Sequence, residues 1–477
     1  MSFETPDGNL ASAFSWARQQ ALDYAFSGDP AGEWYEAALP GREAFCMRDV
    51  SHQSMGAQAL GLGRYTLNML KAFTANISDS KDWCSYWEIN RYGRPAPVDY
   101  VDDARFWYDL PANFDVLDDC YRMYLWTGDL TYLNQGAMVN FYDRTVSDYV
   151  ARWGLDLGQI MSRERIMNVR GRFDRDDKFQ VSRGIPGYDE GDKNYLVGVD
   201  LLASEYAAYR AYSRIEGFRG NFALADRYAK KALAVEDFVN TVWWDEKDGH
   251  FYALLDENHH LAGRSGVDVL YYDVAQEGRK AEAALRDLEA TIRANPSGPV
   301  ELESHYPEVL YRYGAPTLAY SEIMDLSRKG RYRQEYPEVS FSVLGAIVTG
   351  LMGITMEAPP PEQSTTEWNY VEVVVKTFPS LTDDTAWARI SDLPVRTNRV
   401  SVTHQGNSKT VLTNQSGPAL IWQAAFQGAH ETLLVNGQAA KASQGKQRSG
   451  RAASWVELPV GAGDTVTVEV PVSSGRH

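Results

Sequence analysis

The sequence predicts a ring of paired α-helices followed by a small antiparallel β-sandwich. From about residue 9 to residue 356, apolar residues recur at steps of three and four, as one buried helical face requires. After three consecutive prolines at 359–361, the pattern changes to short alternating segments that are typical of strands. We therefore place a helical domain at residues 1–357, a proline-rich linker at 358–366 and the sandwich at 367–477.

The helical elements are predicted from the length of the periodic segments. The clearest helices are expected at Met55 to Ala75, Phe114 to Trp126, Tyr195 to Ile215 and Phe222 to Trp243. At about 30 residues for a helix and its loop, the first 350 residues would hold about twelve helices.

The strand elements follow from alternation between turn residues. Six segments alternate in this way, namely YVEVVVKTF, RVSVTH, KTVLTN, ALIWQAAF, ETLLVNG and DTVTVEV. Glycine, asparagine, aspartate and serine separate them, which predicts hairpins. The prolines before them stiffen the chain and exclude a helix there.

Composition narrows the function. The 477 residues carry 47 basic and 64 acidic side chains, a net charge of −17, which repels nucleic acid and anionic membranes. Three cysteines without a CxxC pair favour neither a disulfide scaffold nor a cysteine-zinc site. The amino terminus lacks the features of an export signal, so we expect a cytoplasmic protein, or a periplasmic or secreted one if a signal was removed.

Four clusters could carry chemistry. The first holds five polar side chains within eleven positions: Arg42, Glu43, Arg48, Asp49 and His52. Because the apolar residues 45–47 separate them, some of these charges are expected to be buried and paired. A solvated loop in which Asp49 or Ser51 caps a helix is the alternative.

The second cluster is aromatic and spans residues 82–114. It places Trp87 and Trp107 close in sequence to Asp102, Asp103 and Asp109. Flat aromatic faces beside carboxylates suit sugar rings, although each tryptophan alone could equally belong to the core.

The third cluster holds Asp189, Glu190 and Asp192 within four positions. Three acids this close cannot all ionise cheaply if they are buried, and the raised pKa that results is what a general acid needs. A solvated loop or, with residues 174–177, a calcium loop is the alternative.

The fourth cluster contains five acids: Glu301, Glu303, Glu322, Asp325 and Glu338. Glu322 lies in the apolar stretch 318–324, where a cavity-facing acid is more natural than a solvated one.

The region from Tyr306 to Ile354 resembles the end of the helical domain in α-L-rhamnosidases of glycoside hydrolase family 78. That family has Tyr-Pro, then Gly-Ala-Thr-Thr-Leu-Trp-Glu and Ser-Phe-Asn-His. This chain has Tyr306-Pro307, then Gly-Ala-Pro-Thr-Leu-Ala-Tyr-Ser-Glu at 314–322, and Ser-Phe-Ser at 340–342. The resemblance implies that Glu322 is the catalytic base.

Two resemblances bear on the general acid. Pro-Gly-Arg-Glu at 40–43, followed by Asp49, is similar to the acid-bearing segment of the same rhamnosidases and implies Glu43. Asp-Glu-Gly-Asp at 189–192, ahead of Val-Asp-Leu at 199–201, resembles the acid loop of trehalases and family 63 α-glucosidases and implies Asp192. Both candidates stay open.

Together these resemblances imply a six-hairpin (α/α)6 toroid and an inverting glycosidase that releases a terminal sugar, with an α linkage favoured. Two carboxyl groups about 6.5 to 9.5 Å apart would perform the reaction without a metal or organic cofactor. The residues expected to bind the carbohydrate or glycoside are Arg42, Arg48, Asp49, His52, Trp87, Trp107, Asp189, Glu190 and Glu338. A polysaccharide lyase, a sugar epimerase with paired histidines and an inactive carbohydrate-binding protein are the alternatives.

Overall fold

The fold was analysed in a computed structural model that describes residues 1–169, 171–191, 194–358, 373–383 and 386–471. Helices dominate up to residue 351 and strands dominate from residue 355 onward. The chain is therefore a helical domain followed by a β-sandwich, as the two periodicities predict. Apart from Ala358, the predicted linker lies outside the described residues.

Sixteen α-helices lie in the described part of the chain. In chain order they are α1 (Gly8–Asp23), α2 (Met47–Ala59), α3 (Gly63–Thr74), α4 (Pro111–Thr127), α5 (Thr131–Asn134), α6 (Gly136–Arg144), α7 (Val150–Arg152), α8 (Lys178–Val181), α9 (Val199–Phe218), α10 (Phe222–Thr241), α11 (Val267–Tyr271), α12 (Arg279–Ala294), α13 (Val300–Glu303), α14 (Tyr306–Arg312), α15 (Pro316–Leu326) and α16 (Pro337–Gly345). One π-helical segment precedes α7 and another, Ala346–Leu351, continues α16.

Two helix predictions need correction. The single helix expected from Met55 to Ala75 is two helices, because Gly61 adopts a left-handed φ of 85° between α2 and α3. The start of α2 lies at Met47, so Asp49 is inside the first turn and does not cap it. The helix expected from Tyr195 begins at Val199, because residues 197–198 pair with a strand instead.

Six helices contact one another in a closed cycle: α2 contacts α4, and the contacts continue through α9, α11, α14 and α16 back to α2. We call these the inner helices. Five of the inner helices each contact one further helix. These pairs are α3 on α2, α10 on α9, α12 on α11, α15 on α14 and α1 on α16.

The described strands are short in the helical domain and longer beyond it. They are β1 (Ser2–Glu4), β2 (Ala25–Asp29), β3 (Gly32–Tyr35), β4 (Ala44–Cys46), β5 (Glu88–Asn90), β6 (Tyr100–Asp102), β7 (Arg105–Phe106), β8 (Tyr108–Asp109), β9 (Arg183–Ile185), β10 (Val197–Gly198), β11 (Trp244–Asp245), β12 (His250–Phe251), β13 (Leu254–Leu255), β14 (Leu261–Ala262), β15 (Thr355–Glu357), β16 (Val374–Thr377), β17 (Trp387–Val395), β18 (Asn398–Gln405), β19 (Lys409–Ser416), β20 (Leu420–Gln427), β21 (Thr432–Val435), β22 (Gln438–Lys441), β23 (Ser443–Lys446), β24 (Ala452–Val460) and β25 (Thr465–Glu469).

Two sheets form the sandwich. One has the order β1-β17-β18-β19-β25-β21-β22 and the other β15-β16-β20-β24-β23. We expected an antiparallel sandwich, and this prediction was wrong for one strand pair, because β16 pairs with β20 in parallel. Two edge strands, β1 and β15, come from the region before the prolines, so the helical segment contributes to both sheets.

The sandwich packs against the C-terminal ends of the inner helices. The Arg396 amide donates to the Trp126 carbonyl at 2.6 Å, and its guanidinium donates to the Leu125 carbonyl at 3.2 Å. His404 is buried and contacts the Met352 carbonyl through Nε2 at 2.9 Å. The N-terminal ends of the same helices therefore lie away from the sandwich, where the connecting loops meet.

No helix in the described ranges is long and apolar enough to cross a lipid bilayer. The three cysteines, Cys46, Cys84 and Cys120, are free and buried.

Candidate functional site

Carboxyl groups gather at the N-terminal ends of the inner helices. This acidic cluster comprises Asp49 of α2, Asp109 and Asp115 of the α4 end, Asp200 of α9, Asp268 of α11 and Glu338 of α16, joined by Glu190 from the loop before α9. Burial raises the pKa of each of the six helix-end groups. The positive ends of the helix dipoles oppose that rise, because they favour the ionised form.

Arg48, in the first turn of α2, is the cation that the cluster shares. Its charge opposes the pKa rise of four of the acids: Asp49, Asp109, Asp268 and Glu338. The guanidinium lies 4.7 Å over the ring of Tyr188 and donates to the Glu301 carbonyl at 3.0 Å. One cation among so many carboxyl groups leaves several of them protonated at neutral pH.

The first carboxyl pair is Asp49 and Glu338, which lie within hydrogen-bonding reach of each other. Burial and the adjacent Asp49 hold the pKa of Glu338 well above its usual value. The Cys46 thiol also donates to Asp49, at 2.8 Å. A carboxyl–carboxyl hydrogen bond needs a proton on one partner, so Glu338 holds it and Asp49 accepts.

The second carboxyl pair is Asp109 and Glu190. Asp109 is completely buried, and burial together with Glu190 raises its pKa well above the usual value. The Asp109 carboxyl oxygens have no other hydrogen-bond partner among the described residues. Glu190 is exposed, so solvent can reach one carboxyl group of this pair while the other is buried.

Asp115 and Asp200 complete the wall of the cluster. Asp115 accepts hydrogen bonds from the hydroxyls of Tyr188 and Tyr272, and burial raises its pKa to about 6. Burial, then Asp268, raises the pKa of Asp200 to about 8. Gly198 is required beside Asp200, because a Cβ there would lie 2.1 Å from the carboxyl oxygen.

A histidine pair lies behind the cluster. His52 and His305 stack with ring centroids 3.7 Å apart, and His52 contacts the Ser304 hydroxyl at 3.1 Å. Burial, then the charge of Arg48, lowers the pKa of His52 to about 3, so the ring is neutral at physiological pH. The cavity beside it, about 20 Å³, has room for about one water molecule.

The first predicted acid lies outside this cluster. Glu43 is 53% exposed, adopts a left-handed φ of 52° and forms an ion pair with Arg91. Arg42 points elsewhere, donating to Glu88 at 2.7 Å and lying 3.4 Å from Asp99. Within the charged segment 42–49, Arg48 and Asp49 therefore belong to the acidic cluster, whereas Arg42 and Glu43 do not.

The predicted base lies in a neighbouring group. Glu322 is buried on α15, and burial, then Glu303 and Asp325, raises its pKa to about 7, with Arg331 opposing. Tyr306 lies between the two groups, since Glu303, Asp268 and Glu322 all raise its pKa. Glu322 therefore belongs to a second acidic group, on the outer side of α14.

The remaining predicted residues are divided between loop and core. Asp192 lies outside the described residues. Asp189 is exposed and accepts from the Gly191 amide at 3.1 Å. Trp87 is buried in the core against Tyr108, and Trp107 is half-buried under the Lys178 ammonium at 5.9 Å.

Sequence reasoning missed Asp109, Asp115, Asp200 and Asp268 as site residues. A shared signal could have found most of them, because an acid followed by an aliphatic residue opens each of these helices: Asp49-Val50, Asp109-Leu110, Asp200-Leu201, Asp268-Val269 and Glu338-Val339. The motif is too short to be recognised as a repeat. Among the described residues, no group of three or more His, Cys, Asp or Glu side chains could hold a metal ion.

Comparisons with known proteins identify the fold. No family model and no curated protein matches the sequence. Among solved structures, an α-L-rhamnosidase from Dictyoglumus thermophilum is similar with a TM-score of 0.57 and 12% identity, over 98% of this chain and 50% of that one. A family 78 rhamnosidase from Bacillus sp. GL1 gives 0.54 and 13%, over 87% and 40%.

A kojibiose phosphorylase from the human microbiome gives a TM-score of 0.53 and 10% identity, over 97% of this chain and 67% of that one. The predicted relation to family 78 rhamnosidases is therefore confirmed at the level of the fold. The chain spans half or less of the length of the two rhamnosidases.

Proposed function

We propose that the chain is an inverting glycoside hydrolase built on an (α/α)6 toroid, with its active site in the acidic cluster. The observation that carries the proposal is the presence of two carboxyl pairs, Glu338 with Asp49 and Glu190 with Asp109, that both interact with the charge of Arg48. Inverting hydrolysis needs one protonated and one ionised carboxyl group in the same site. The proposal gives the protonated role to Glu338 and the ionised role to Glu190.

Glu338 is the proposed general acid. Burial and Asp49 raise its pKa and so favour the protonated form, whose proton can pass to the leaving glycosidic oxygen. Asp49, already a hydrogen-bond partner, would stabilise the proton before transfer. Arg48 would balance the negative charge that Glu338 acquires.

Glu190 is the proposed general base. It is exposed, so a water molecule can approach its carboxylate, and Asp109 lies behind it as a protonated neighbour. Removal of a proton from water while the sugar is attacked from the opposite face gives inversion. The family resemblances imply a different assignment, with Glu43 or Asp192 as the acid and Glu322 as the base, so the assignments need a direct test.

We propose a terminal sugar as the substrate, as the resemblance to α-L-rhamnosidases implies. The inner helices surround the cluster, and the cavity on its inner side, lined by His52, His305, Tyr271 and Tyr272, has room for only about one water molecule. A sugar would therefore approach the cluster from its solvent side, where Glu190 is exposed. Carboxylates for hydroxyl groups and the Tyr188 ring for a sugar face are both available.

A panel of chromogenic glycosides, followed by proton NMR of the first-formed anomer, tests the activity. We expect hydrolysis of at least one glycoside with inversion of configuration. Retention would contradict the mechanism, and no turnover of any glycoside would favour the carbohydrate-binding alternative.

Leaving-group dependence tests the assignment. The Glu338→Gln variant should hydrolyse dinitrophenyl glycosides, which need no protonation, far better than alkyl glycosides, whereas Glu190→Gln should be slow on both. The opposite result would exchange the two roles.

Sugar epimerisation is a second candidate because the structure brings two histidines together. His52 and His305 are both neutral and could transfer protons at a sugar carbon. Incorporation of deuterium from D2O into a free sugar, lost in His52→Gln, would favour this activity over hydrolysis.

A further inference from the structure

We infer that the cavity between the inner helices and the β-sandwich is a second binding site, for a small sugar that carries a carboxylate or a phosphate. The cavity has a volume of about 630 Å³, within the range of small-molecule sites. It lies at the C-terminal ends of the inner helices, opposite the acidic cluster. The inference therefore goes beyond the proposed hydrolysis and does not depend on it.

Both domains build this sandwich-side cavity. Arg122, Arg210 and Arg312 line it from the helices, and Gln447 and Arg448 line it from the loop between two strands of the sandwich. A ligand here would contact the two domains at once, as ligands at domain interfaces commonly do.

The lining carries an excess of positive charge in a strongly acidic chain. Seven lysine and arginine side chains face five carboxylates there, although the whole chain has a net charge of −17. Ion pairs account for several of them, such as Arg312 with Asp273 at 3.2 Å and Arg122 with Asp118 at 3.0 Å.

Two cations in the lining lack such partners. Neither Arg210 nor Lys446 forms an ion pair within 4 Å or a side-chain hydrogen bond with any residue in the described ranges, although the charge of Arg210 acts on Asp118, Glu236 and Asp273 from a greater distance. The Arg210 guanidinium instead lies 5.2 Å over the Tyr206 ring. A guanidinium that is free to donate at a cavity wall is suited to a carboxylate or a phosphate.

Uncharged donors on the same wall are also unused. Gln447 Nε2 and the Tyr311 hydroxyl are buried without a hydrogen-bond partner among the described residues. Tyr311 is only 5% exposed, and its ring fits because Gly350 has no side chain: a Cβ there would lie 2.4 Å from the ring. Buried polar atoms without partners are costly, and ligand hydroxyl groups would satisfy them.

These features together select the ligand class. An anionic group would pair with Arg210 and Lys446, hydroxyl groups would bind Gln447 and Tyr311, and the Tyr121 ring offers a flat face for a sugar. A neutral sugar would leave the cations unused, and a simple anion would leave the hydroxyl partners unused.

Calorimetric titration of the full chain at low salt tests the inference with three probes: D-glucuronate, D-glucose 6-phosphate and D-glucose. We expect at least one anionic probe to bind about tenfold or more tightly than glucose. Binding of glucuronate alone would identify a carboxylate ligand, and binding of the phosphate alone would identify a phosphorylated one. Equal binding of all three, or no binding, would overturn the inference.

Variants locate the binding. Arg210→Gln and, separately, Lys446→Gln should each weaken the anionic probe about tenfold. Lys409→Gln, an equal loss of charge on a sandwich strand outside the cavity, is the matched control and should bind like the wild type. Lys446 is exposed, so its variant remains informative even if Arg210→Gln fails to fold.

Wild-type affinity in both variants would overturn the inference. Loss of binding in Glu338→Gln would also overturn it, because the probe would then occupy the acidic cluster.

Discussion

The two ends of the helical domain shift the pKa of a buried carboxyl group in opposite directions. At the N-terminal end, burial and Asp49 raise the pKa of Glu338 well above its usual value. At the sandwich-facing end, the pKa of Asp273 is lowered although burial opposes this, because Arg312 and Arg448 both lie beside it. Burial is common to both, so the number of cations for each carboxylate decides which form is stable.

The largest expected effect is on activity at the acidic end. Glu338→Gln keeps the shape and hydrogen-bonding capacity of the protonated acid but cannot release a proton. Turnover of an alkyl glycoside should fall by about 10² to 10⁴, the usual contribution of general acid catalysis. Steady-state kinetics measure the loss, and circular dichroism checks the fold.

Glu43→Gln is the matched control, since Glu43 is exposed and paired with Arg91. Its turnover should stay within about twofold of the wild type. A large loss there would restore Glu43 as the acid, and a loss in Glu322→Gln with normal turnover in Glu338→Gln would move the site to the second acidic group.

Removal of Arg48, the cation that the acidic cluster shares, should lower the free energy of unfolding. Arg48→Met leaves four carboxyl groups without the charge that opposes their pKa rise, and breaking such a buried cluster costs about 3 to 5 kcal/mol. The loss should be greater at pH 8 than at pH 5, because the acids can be protonated at the lower pH. Urea unfolding at both values measures it, and equal losses would contradict the charge argument.

A buried acid near the middle of α9 isolates the effect of burial. Burial raises the pKa of Glu205 to about 8, so it is protonated in the fold while an unfolded glutamate ionises near 4.5. The folded state therefore loses stability as pH rises from about 4.5 to 8. Glu205→Gln should match the wild type near pH 4 and exceed its unfolding free energy by about 4 kcal/mol at pH 8.

Thermal unfolding followed across this range gives the difference. A constant offset between the two proteins at all pH values would mean that Glu205 does not titrate differently on folding.

At the sandwich-facing end we expect the opposite pH dependence of stability. Asp273 accepts from Arg312 at 3.2 Å and from the Tyr313 hydroxyl at 3.1 Å, and its lowered pKa stabilises the fold only above the unfolded value near 3.8. Asp273→Asn should lose about 2 kcal/mol at pH 7, and the loss should shrink as pH falls below about 4. Asparagine tolerates the left-handed φ of 58° at this position, so backbone strain does not obscure the result.

If Asp273→Asn is as stable as the wild type at pH 7, the ion pairs around this residue contribute nothing. The contrast between the two ends would then rest on the acidic cluster alone.

Local patterns account for the parts of the fold that were predicted correctly. Alternation predicted the strands that are now β18, β19 and β25, because buried residues alternate with more accessible ones along each of them. β20 was also predicted, although three successive residues of it, 424–426, are buried. Periodicity predicted α4 and α10 within a few residues. The break at Gly61 was missed because the apolar spacing continues across it.

The candidate site was predicted only in part. Arg48, Asp49, Glu190 and Glu338 were named and do lie together, whereas Glu43 of the same first segment lies at the surface. Glu43 precedes β4, whereas Arg48 and Asp49 lie in the first turn of α2. Side chains before and after such a strand-to-helix junction can point to different parts of the protein. No sequence pattern indicates that change of direction.

The sequence by itself determined the class of the fold and the kinds of side chain available for chemistry, because both depend on local periodicity and composition. Only the tertiary structure decided which acids share a site. The cycle of inner helices brings together residues as distant in sequence as Asp49 and Glu338, and their burial beside a single arginine sets which of them hold protons. That outcome depends on contacts across the whole helical domain, which no segment of the chain specifies alone.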